Sequence, residues 1–360
     1  MSKLNFLSGL IDSLFNKKNK SKSFGFLFEK KPSKTINDYV DNVFQAKGEI
    51  SALNFSEELL EVLEKSDDKT IISFFDYLEN DYDLDINLLN NTLLKYEKKN
   101  EFDHYKEIKN ITETKRLEIF RRLNSTQHGT IKLVKLREKL LNLIVRNEKF
   151  RKIDFDLSNL FKDWFNRGFL ILKPIDWETP ANILEKIIQY EAVHQIRSWE
   201  ELRSRLEPDD RKCFAYFHPA MEDEPLIFIE VALTKEIPKT INDILYTNRL
   251  KLESQEASIA VFYSISNCQK GLQGISFGNF LIKQVAKELE NSFSKLKTFI
   301  TLSPVPGFMK WLETNNHKLY KKMKKNLNVS NIEKNKDLIQ KRVLEYFFIS
   351  HRKDDLPNDP

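Results

Sequence analysis

A strand, a glycine-containing loop and a helix follow one another between residues 259 and 290, and this order constrains the fold more than any other feature. Residues 259–266 are mostly apolar and β-favouring, which predicts a buried strand. An amphipathic helix is predicted to begin near Asn279. The chain has only 9 glycines in 360 residues, yet the loop between strand and helix contains three: Gly271, Gly274 and Gly278.

This order of elements can form an anion-binding site. Small residues let the backbone approach a ligand closely, and the free N–H groups and dipole of a helix N-terminus favour phosphate. For a glycine loop taken alone, an ordinary βα turn remains the alternative. A second strand is predicted over residues 297–302, and its end places Ser303 next to the loop.

Several long segments resemble malonyl-CoA decarboxylases. They are LQGISFGNFLIKQV (272–285), TFITLSPVPGF (298–308), the segment 121–141 and the segment 164–234. The resemblance is nearly continuous from about Arg121 to Leu312. It implies an N-terminal helical bundle followed by a catalytic domain with an acetyltransferase-like (GNAT-type) mixed α/β fold, which binds coenzyme A through a βα loop. The fold class expected is therefore α+β.

The resemblance also implies an activity, the decarboxylation of malonyl-CoA to acetyl-CoA and carbon dioxide. Ser303 falls in the stretch that contains the family's catalytic serine. Some relatives have glutamate where this chain has Ser276, so no acid–base role is assigned there. The family's substrate-binding loop maps onto Gln273, Gly274, Ile275, Ser276, Phe277, Gly278 and Asn279.

Decarboxylation of a malonyl thioester leaves an enolate, so the site must stabilise charge on the thioester oxygen and then protonate carbon. No metal or organic cofactor is required, because coenzyme A enters as part of the substrate. Two further residues are candidates for lining the site. His218 lies at a strand end, where a structural histidine is the alternative, and Glu230 lies in the middle of an apolar strand, where an ion pair is the alternative.

The C-terminus departs from the family pattern. The family's second catalytic residue is a histidine in an F-H-x-x-N-G-A stretch that follows a D-P or N-P step. This sequence ends at Pro360, which occupies that step, and neither His317 nor His351 lies in a matching motif. The resemblance therefore implies that the sequence is a fragment or encodes an impaired product, and it leaves the activity of these 360 residues in doubt.

Composition and pattern predict the domains. We expect an N-terminal arm or linker over residues 1–34, a helical bundle over 35–155 and a truncated catalytic domain over 156–360. Strands are predicted at 168–175, 212–219 and 226–233, which with the two strands above give a mixed sheet with one βαβ unit near its middle. The bundle helices have wide apolar faces, which indicates burial inside the bundle or a homo-oligomer.

The formal charge of +5 suits an anionic ligand such as malonyl-CoA but does not indicate nucleic-acid binding. No apolar stretch approaches the ~20 residues that a membrane-spanning helix needs. Only two cysteines occur, Cys213 and Cys268, which indicates a reducing compartment and a cytoplasmic protein. Three alternatives to a decarboxylase stay open: an acyltransferase that uses an acyl-CoA, a coenzyme-A-binding module without catalysis, and a helical scaffold.

Overall fold

The computed structural model describes residues 34–246, 249, 251–302, 307, 310–311 and 314. Ser303 and nearly all of the predicted N-terminal arm lie outside these residues. None of the described helices is both long and apolar enough to cross a membrane.

Eight α-helices form the first half of the described chain. They are α1 (Ile36–Gln45), α2 (Glu49–Lys65), α3 (Asp68–Asp81), α4 (Ile86–Lys98), α5 (Phe102–Thr112), α6 (Lys115–Asn124), α7 (Gly129–Ile144) and α8 (Arg151–Trp164). Thr35 begins α1 with a reciprocal cap, because its hydroxyl accepts from the Asp38 N–H and the Asp38 carboxylate accepts from the Thr35 N–H. Asp67 and Asp85 immediately precede α3 and α4, and each carboxylate accepts a hydrogen bond from a first-turn N–H group.

Helix α8 crosses the predicted boundary between residues 155 and 156. The helix continues because its apolar stripe continues: Ile153, Leu157 and Phe161 are all fully buried. The helical region therefore extends through Trp164, beyond residue 155, at which the sequence pattern placed its end.

Five strands make one mixed sheet in the order β1-β2-β3-β4-β5. They are β1 (Ile171–Ile175), β2 (Arg211–Phe217), β3 (Pro225–Thr234), β4 (Ile259–Asn267) and β5 (Thr298–Thr301). Neighbouring strands are antiparallel except β4 and β5, which are parallel. The first strand begins later than the predicted residue 168, because the Asn166 side chain accepts from the Gly168 N–H and folds residues 167–169 into a 3₁₀ turn.

The second half of the described chain contains α9 (Ala181–Tyr190), α10 (Trp199–Leu206), the short α11 (Asn242–Leu245) between β3 and β4, and α12 (Gly278–Ser292). One face of the sheet packs on α12 and the helical region, and the other packs on α9 and α10. The βαβ unit β4-α12-β5 lies at the β5 end of the described sheet. Its predicted place near the middle is wrong for these strands, because β1 to β4 pair in sequence order. The α+β class is confirmed.

Candidate functional site

The predicted loop and helix lie between β4 and β5, with the loop at the carboxyl end of β4. Gln273, Gly274 and Ser276 are exposed, Ile275 is half-buried and Phe277 is buried. Helix α12 begins directly after Phe277, whose side chain makes no capping hydrogen bond. The first-turn N–H groups of a helix have no partner within the helix, so such an N-terminus beside a largely exposed loop suits an anionic ligand.

Gly274 has a left-handed backbone that only glycine adopts easily. Its φ angle is +83°, and a Cβ atom built on it would meet no atom of the described residues within 4 Å. The backbone conformation therefore requires glycine here, whereas space does not. No described residue therefore occupies the space beside Gly274.

Gly271 is constrained by packing. A Cβ atom at this position would lie 1.9 Å from the carbonyl oxygen of Val134 on α7. Any side chain would therefore push the loop away from the helical region. The loop that the sequence predicts as a ligand site is thus seated directly on a bundle helix.

Arg137 on α7 fixes the loop in this position. Its Nη1 atom donates to the carbonyl oxygens of Gly271 at 2.6 Å and Gln273 at 2.9 Å. Its Nε atom donates to Asp154 on α8 at 2.7 Å, and the side chain is only 3% exposed. Because charge-assisted bonds to a buried guanidinium are among the stronger hydrogen bonds in proteins, the helical region holds the loop rigidly.

An exposed cation lies beside the first turn of α12. The guanidinium carbon of Arg167 is 3.5 Å from the ring centroid of Phe280, and that ring stacks on Tyr216 with an interplanar angle of 5°. Stacking restrains the exposed guanidinium, and a guanidinium held in this way can still donate its N–H groups to a phosphate. Sequence reasoning missed both Arg167 and Arg137. Each lies in a segment that resembles the family, but neither forms part of a recognisable motif.

His218 is linked to the loop through the ring of Phe165. Its Nε2 atom is 3.1 Å from the Trp164 carbonyl oxygen, and its Nδ1 atom accepts from the Ala220 N–H at 3.1 Å. Burial lowers the pKa of His218, and its ring contacts Phe165, which in turn contacts Phe277. Because Nδ1 accepts a hydrogen bond and Nε2 faces a carbonyl oxygen, the proton of His218 lies on Nε2. Both partners are backbone groups, as expected for the structural histidine that the sequence left as the alternative. A role for His218 in lining the site stays a prediction.

Glu230 is fully buried in β3 on the face covered by α9 and α10. Its Oε2 atom accepts from Nη1 of Arg205 at 3.2 Å, which is the ion pair that the sequence left as an alternative. Burial raises the pKa of Glu230 to about 8, with the nearby Glu191 acting in the same direction and Arg205 opposing it. A direct place for Glu230 in the site stays a prediction.

Glu191 is a further residue that sequence reasoning missed. Its carboxylate accepts from the hydroxyls of Ser264 and Ser266 on β4 and from the N–H groups of Val193 and His194. These bonds fix the turn between α9 and α10 onto the carboxyl half of β4. No sequence signal distinguishes this glutamate from the many exposed ones.

Ser303 lies outside the described residues, and its role stays a prediction. The residue before it is described: the Leu302 N–H donates to the Phe262 carbonyl oxygen at 2.8 Å, which extends the parallel β4–β5 pairing by one step. Among the described residues, no group of three His, Cys, Asp or Glu side chains could hold a metal ion.

Comparisons with known proteins agree with the predicted resemblance. The family model described as "Malonyl-CoA decarboxylase N-terminal domain" matches residues 82–165, and that described as "Malonyl-CoA decarboxylase C-terminal domain" matches residues 168–347. Two curated relatives are mitochondrial malonyl-CoA decarboxylases from Anser anser anser, 40% identical over 201 residues, and from Mus musculus, 38% identical over 201 residues. Each match covers 54% of this chain but only 40% of the relative's length.

Two solved structures extend the likeness over most of the chain. The malonyl-CoA decarboxylase from Rhodopseudomonas palustris is 40% identical with a TM-score of 0.79, covering 90% of this chain and 81% of that one. The enzyme from Agrobacterium vitis is 41% identical with a TM-score of 0.78, covering 86% and 77%. Two matched family domains and this structural similarity confirm the resemblance. The chain belongs to the malonyl-CoA decarboxylase family.

Proposed function

We propose that this protein decarboxylates malonyl-CoA to acetyl-CoA and carbon dioxide. The observation that carries the proposal is the loop 273–277, in which Gln273, Gly274 and Ser276 are exposed and which leads into the N-terminus of α12 and is held by the buried Arg137. Such a loop suits the pyrophosphate of coenzyme A. Membership of the family indicates that the acyl group of the substrate is malonyl, because the relatives named above are malonyl-CoA decarboxylases.

In this proposal, the backbone from Gln273 to Asn279 binds the pyrophosphate, and Arg167 adds a charged contact. The malonyl end then lies towards the carboxyl ends of β4 and β5, where Ser303 follows Leu302 in the sequence. Parallel strands present ligand sites at their carboxyl ends, which is consistent with this direction.

The chemistry requires stabilisation of charge and the supply of a proton. As the bond to the carboxylate breaks, its electron pair moves to the α-carbon and onto the thioester oxygen. We assign to the Ser303 hydroxyl the hydrogen bond that stabilises the developing charge. The enolate carbon then takes up one proton, so each turnover consumes one proton from solvent. No metal or organic cofactor has a part in these steps.

The experiment uses the full-length product of the gene that encodes residues 1–360. Binding of malonyl-CoA is measured by calorimetry, and the release of acetyl-CoA and carbon dioxide is followed with and without a metal chelator. We expect both products in equal amounts, unaffected by the chelator. Failure to bind malonyl-CoA would overturn the proposal. An acylated amine, formed when an amine is added, would assign the protein to acyl transfer instead.

We also propose that copies of the chain associate through α4 and α5. Helix α4 buries only Thr92, and α5 buries no side chain. Large apolar side chains are exposed along this pair, including Phe102 at 74% and Leu94 at 56%. An apolar face that no described residue covers is typical of an interface. A second copy is the occupant that fits, because such faces are self-complementary in symmetric dimers.

Light scattering tests this association. The protein should be larger than a monomer at micromolar concentration, and Phe102→Glu combined with Leu94→Glu should shift it to the monomer. Val145→Glu is the control, because Val145 is 87% exposed at the end of α7. A wild-type monomer would contradict the proposal.

We also propose a cytoplasmic location, because of the state of the two cysteines. Cys213 and Cys268 are both buried free thiols, and burial raises the pKa of each well above its ordinary value. Unreactive, unpaired thiols suit a reducing compartment. Fractionation of the source cells tests this, and recovery with an organelle would contradict it.

A further inference from the structure

A partly open cavity of about 190 Å³ lies between α10, α11 and the start of β2. Cationic side chains predominate among the described residues of its wall: they are Arg203, Arg205, Arg211, Arg249 and Lys251. The carboxylates among these wall residues are Glu200 and Glu207, both at exposed positions. We refer to this space as the arginine cavity. An excess of positive charge that faces one cavity attracts an anion.

Arg211 is a buried cation whose hydrogen bonds go to uncharged acceptors. It is only 3% exposed. Its Nη1 atom donates to the Asp210 carbonyl oxygen at 2.9 Å, and its Nη2 atom donates to the Ile244 carbonyl oxygen at 2.6 Å. These carbonyls fix the guanidinium plane without cancelling its charge. Because a buried charge is normally paired, a counter-ion is expected beside Arg211.

The Asp210 carboxylate is shared between Arg211 and a second guanidinium. Its Oδ1 atom lies 3.6 Å from Nη1 of Arg211, which is longer than a hydrogen bond. The same carboxylate accepts from both terminal nitrogens of Arg249, with Nη2 at 2.8 Å from Oδ1, and from the Leu252 N–H at 3.0 Å. One buried carboxylate therefore serves two guanidiniums that both line the cavity.

Arg205 is another buried cation of the wall, and it has an unused donor. It is 3% exposed and donates to Glu201 at 2.7 Å and to Glu230 at 3.2 Å. Neither carboxylate is among the described wall residues, so both hold the guanidinium from behind. The Nε–H of Arg205 has no hydrogen-bond partner within the part of the protein that the structure describes. Because native proteins normally satisfy buried N–H groups, this donor indicates a ligand or water.

Arg203 and Lys251 form the exposed rim of the cavity. Arg203 lies over the Trp177 ring, with 5.4 Å between the guanidinium carbon and the ring centroid. It also donates to the Glu207 carboxylate through two bonds of 2.7 and 3.0 Å. Exposed pairs of this kind contribute little to stability, so an anion can replace Glu207 as the partner of Arg203. The rim therefore adds donors for an entering ligand.

The arginine cavity is separate from the candidate ligand loop. Arg211 pairs with Ala232 of β3, which pairs with Val261 near the amino end of β4, whereas the ligand loop follows the carboxyl end of β4. Helices α10 and α11 pack on one face of the sheet, and α12 packs on the other. The two sites therefore lie at opposite ends of one strand and on opposite faces, so each can be occupied without the other.

We propose that the arginine cavity binds the phosphoryl group of a small organic phosphate. Guanidinium groups recognise phosphate through paired, charge-assisted hydrogen bonds, and the buried arginines of the wall are already held in place by their partners. Leu245 and Tyr246 also line the cavity, and they offer an apolar surface to the organic part. The volume lies below the about 300–1,000 Å³ typical of sites for drug-sized ligands, so the ligand is small. This site does not depend on the proposed decarboxylation.

Calorimetry with the full-length protein tests this site, with inorganic phosphate and phenyl phosphate as the probes at constant ionic strength. Both should bind, and phenyl phosphate should bind more tightly because its ring meets Tyr246. The rim variant, Arg203→Gln combined with Lys251→Gln, should lower the affinity for both probes at least about tenfold, because charge-assisted bonds are lost. Lys106→Gln combined with Lys109→Gln, both exposed on α5, is the control for the loss of two positive charges. Equal affinity in the rim variant and wild type would overturn the proposal.

Two further measurements locate the anion. Phosphate binding that is lost in Arg167→Gln but kept in the rim variant would assign the anion to the ligand loop and overturn the proposal. In crystals soaked with selenate, a stand-in for phosphate, anomalous scattering should place selenium within hydrogen-bond distance of the Arg205 Nε–H or the Arg211 guanidinium. A cavity without selenate in those crystals would also overturn it. Selenate in the cavity without measurable binding of phenyl phosphate would show an adventitious ion only and would overturn the organic phosphate as the ligand.

Discussion

The Nη1 atom of Arg137 lies 2.6 Å from the carbonyl oxygen of Gly271, and this bond joins the helical region to the candidate ligand loop. The same atom also reaches Gln273, while Asp154 holds the guanidinium from behind. Because Gly271 has no side chain, α7 can approach the loop closely enough for the bond to form. The helical region therefore holds the candidate ligand loop in position.

Replacing Arg137 should weaken ligand binding without touching the ligand. Arg137→Gln removes charge-assisted bonds to two loop carbonyls and leaves Asp154 without its partner, and each such loss costs about 1–3 kcal/mol. We expect affinity for coenzyme A to fall at least about tenfold by calorimetry and the free energy of unfolding to fall by a few kcal/mol. Lys135→Gln, exposed on the same helix, is the control. Unchanged affinity would show that the loop keeps its position without Arg137.

Gly274 should tolerate no side chain, although space is available. A left-handed backbone costs an L-residue about 1–2 kcal/mol, so Gly274→Ala should either strain the loop or change its conformation. We expect lower affinity for coenzyme A with little loss of overall stability. Gly48→Ala serves as the comparison, because its φ angle is −127° and its Cβ would make an ordinary 3.5 Å contact. Equal affinity in Gly274→Ala and wild type would count against ligand contact at this position.

Arg167 should contribute a phosphate contact. Hydrogen bonds to charged groups contribute about 1.5–3 kcal/mol, so Arg167→Gln should reduce affinity for coenzyme A about tenfold and reduce its dependence on salt. A malonyl-pantetheine ligand, which lacks the pyrophosphate, should bind wild type and variant equally. Lys162→Gln on α8 is the matched control for the loss of an exposed positive charge. A loss of affinity for both ligands would place Arg167 at the acyl end instead.

Glu230 should make stability depend on pH. Its pKa is about 8 in the folded protein and near the ordinary 4.5 in the unfolded chain, so the folded state binds the proton more tightly between these values. The free energy of unfolding should therefore decrease as pH rises from about 4.5 to about 8, by on the order of a few kcal/mol. Urea titrations across this range measure the slope, and Glu230→Gln should remove most of it. An identical slope in the variant would assign the pH dependence to other groups.

The sequence predicts the centre of the fold well, because local pattern determines it. The apolar run of β4, the glycines and the amphipathic stripe of α12 each indicate their structure without reference to distant residues. Strand β1 and the end of the helical region were placed less well. The start of β1 depends on the hydrogen bond that the Asn166 side chain accepts from the Gly168 N–H, which hydrophobic periodicity does not reveal, whereas α8 continues with the apolar stripe of Ile153, Leu157 and Phe161.

The candidate site could be predicted only in part. Residue type and family resemblance identify the loop, but Arg137 meets Gly271 across more than a hundred residues of chain. The surroundings of Glu230 depend on a bulge in β4 and on the Arg205 guanidinium that it shares with Glu201, and both arise from tertiary packing. Such contacts leave no spacing in the sequence that could reveal them.

The most direct test of the account is the release of carbon dioxide and acetyl-CoA from malonyl-CoA by the full-length protein and by Ser303→Ala. The account predicts equal amounts of both products from wild type and a rate at least ~100-fold lower in the variant, since such assistance contributes about this much or more. Malonyl-CoA that is bound but remains intact with wild type, or a normal rate in Ser303→Ala, would contradict it.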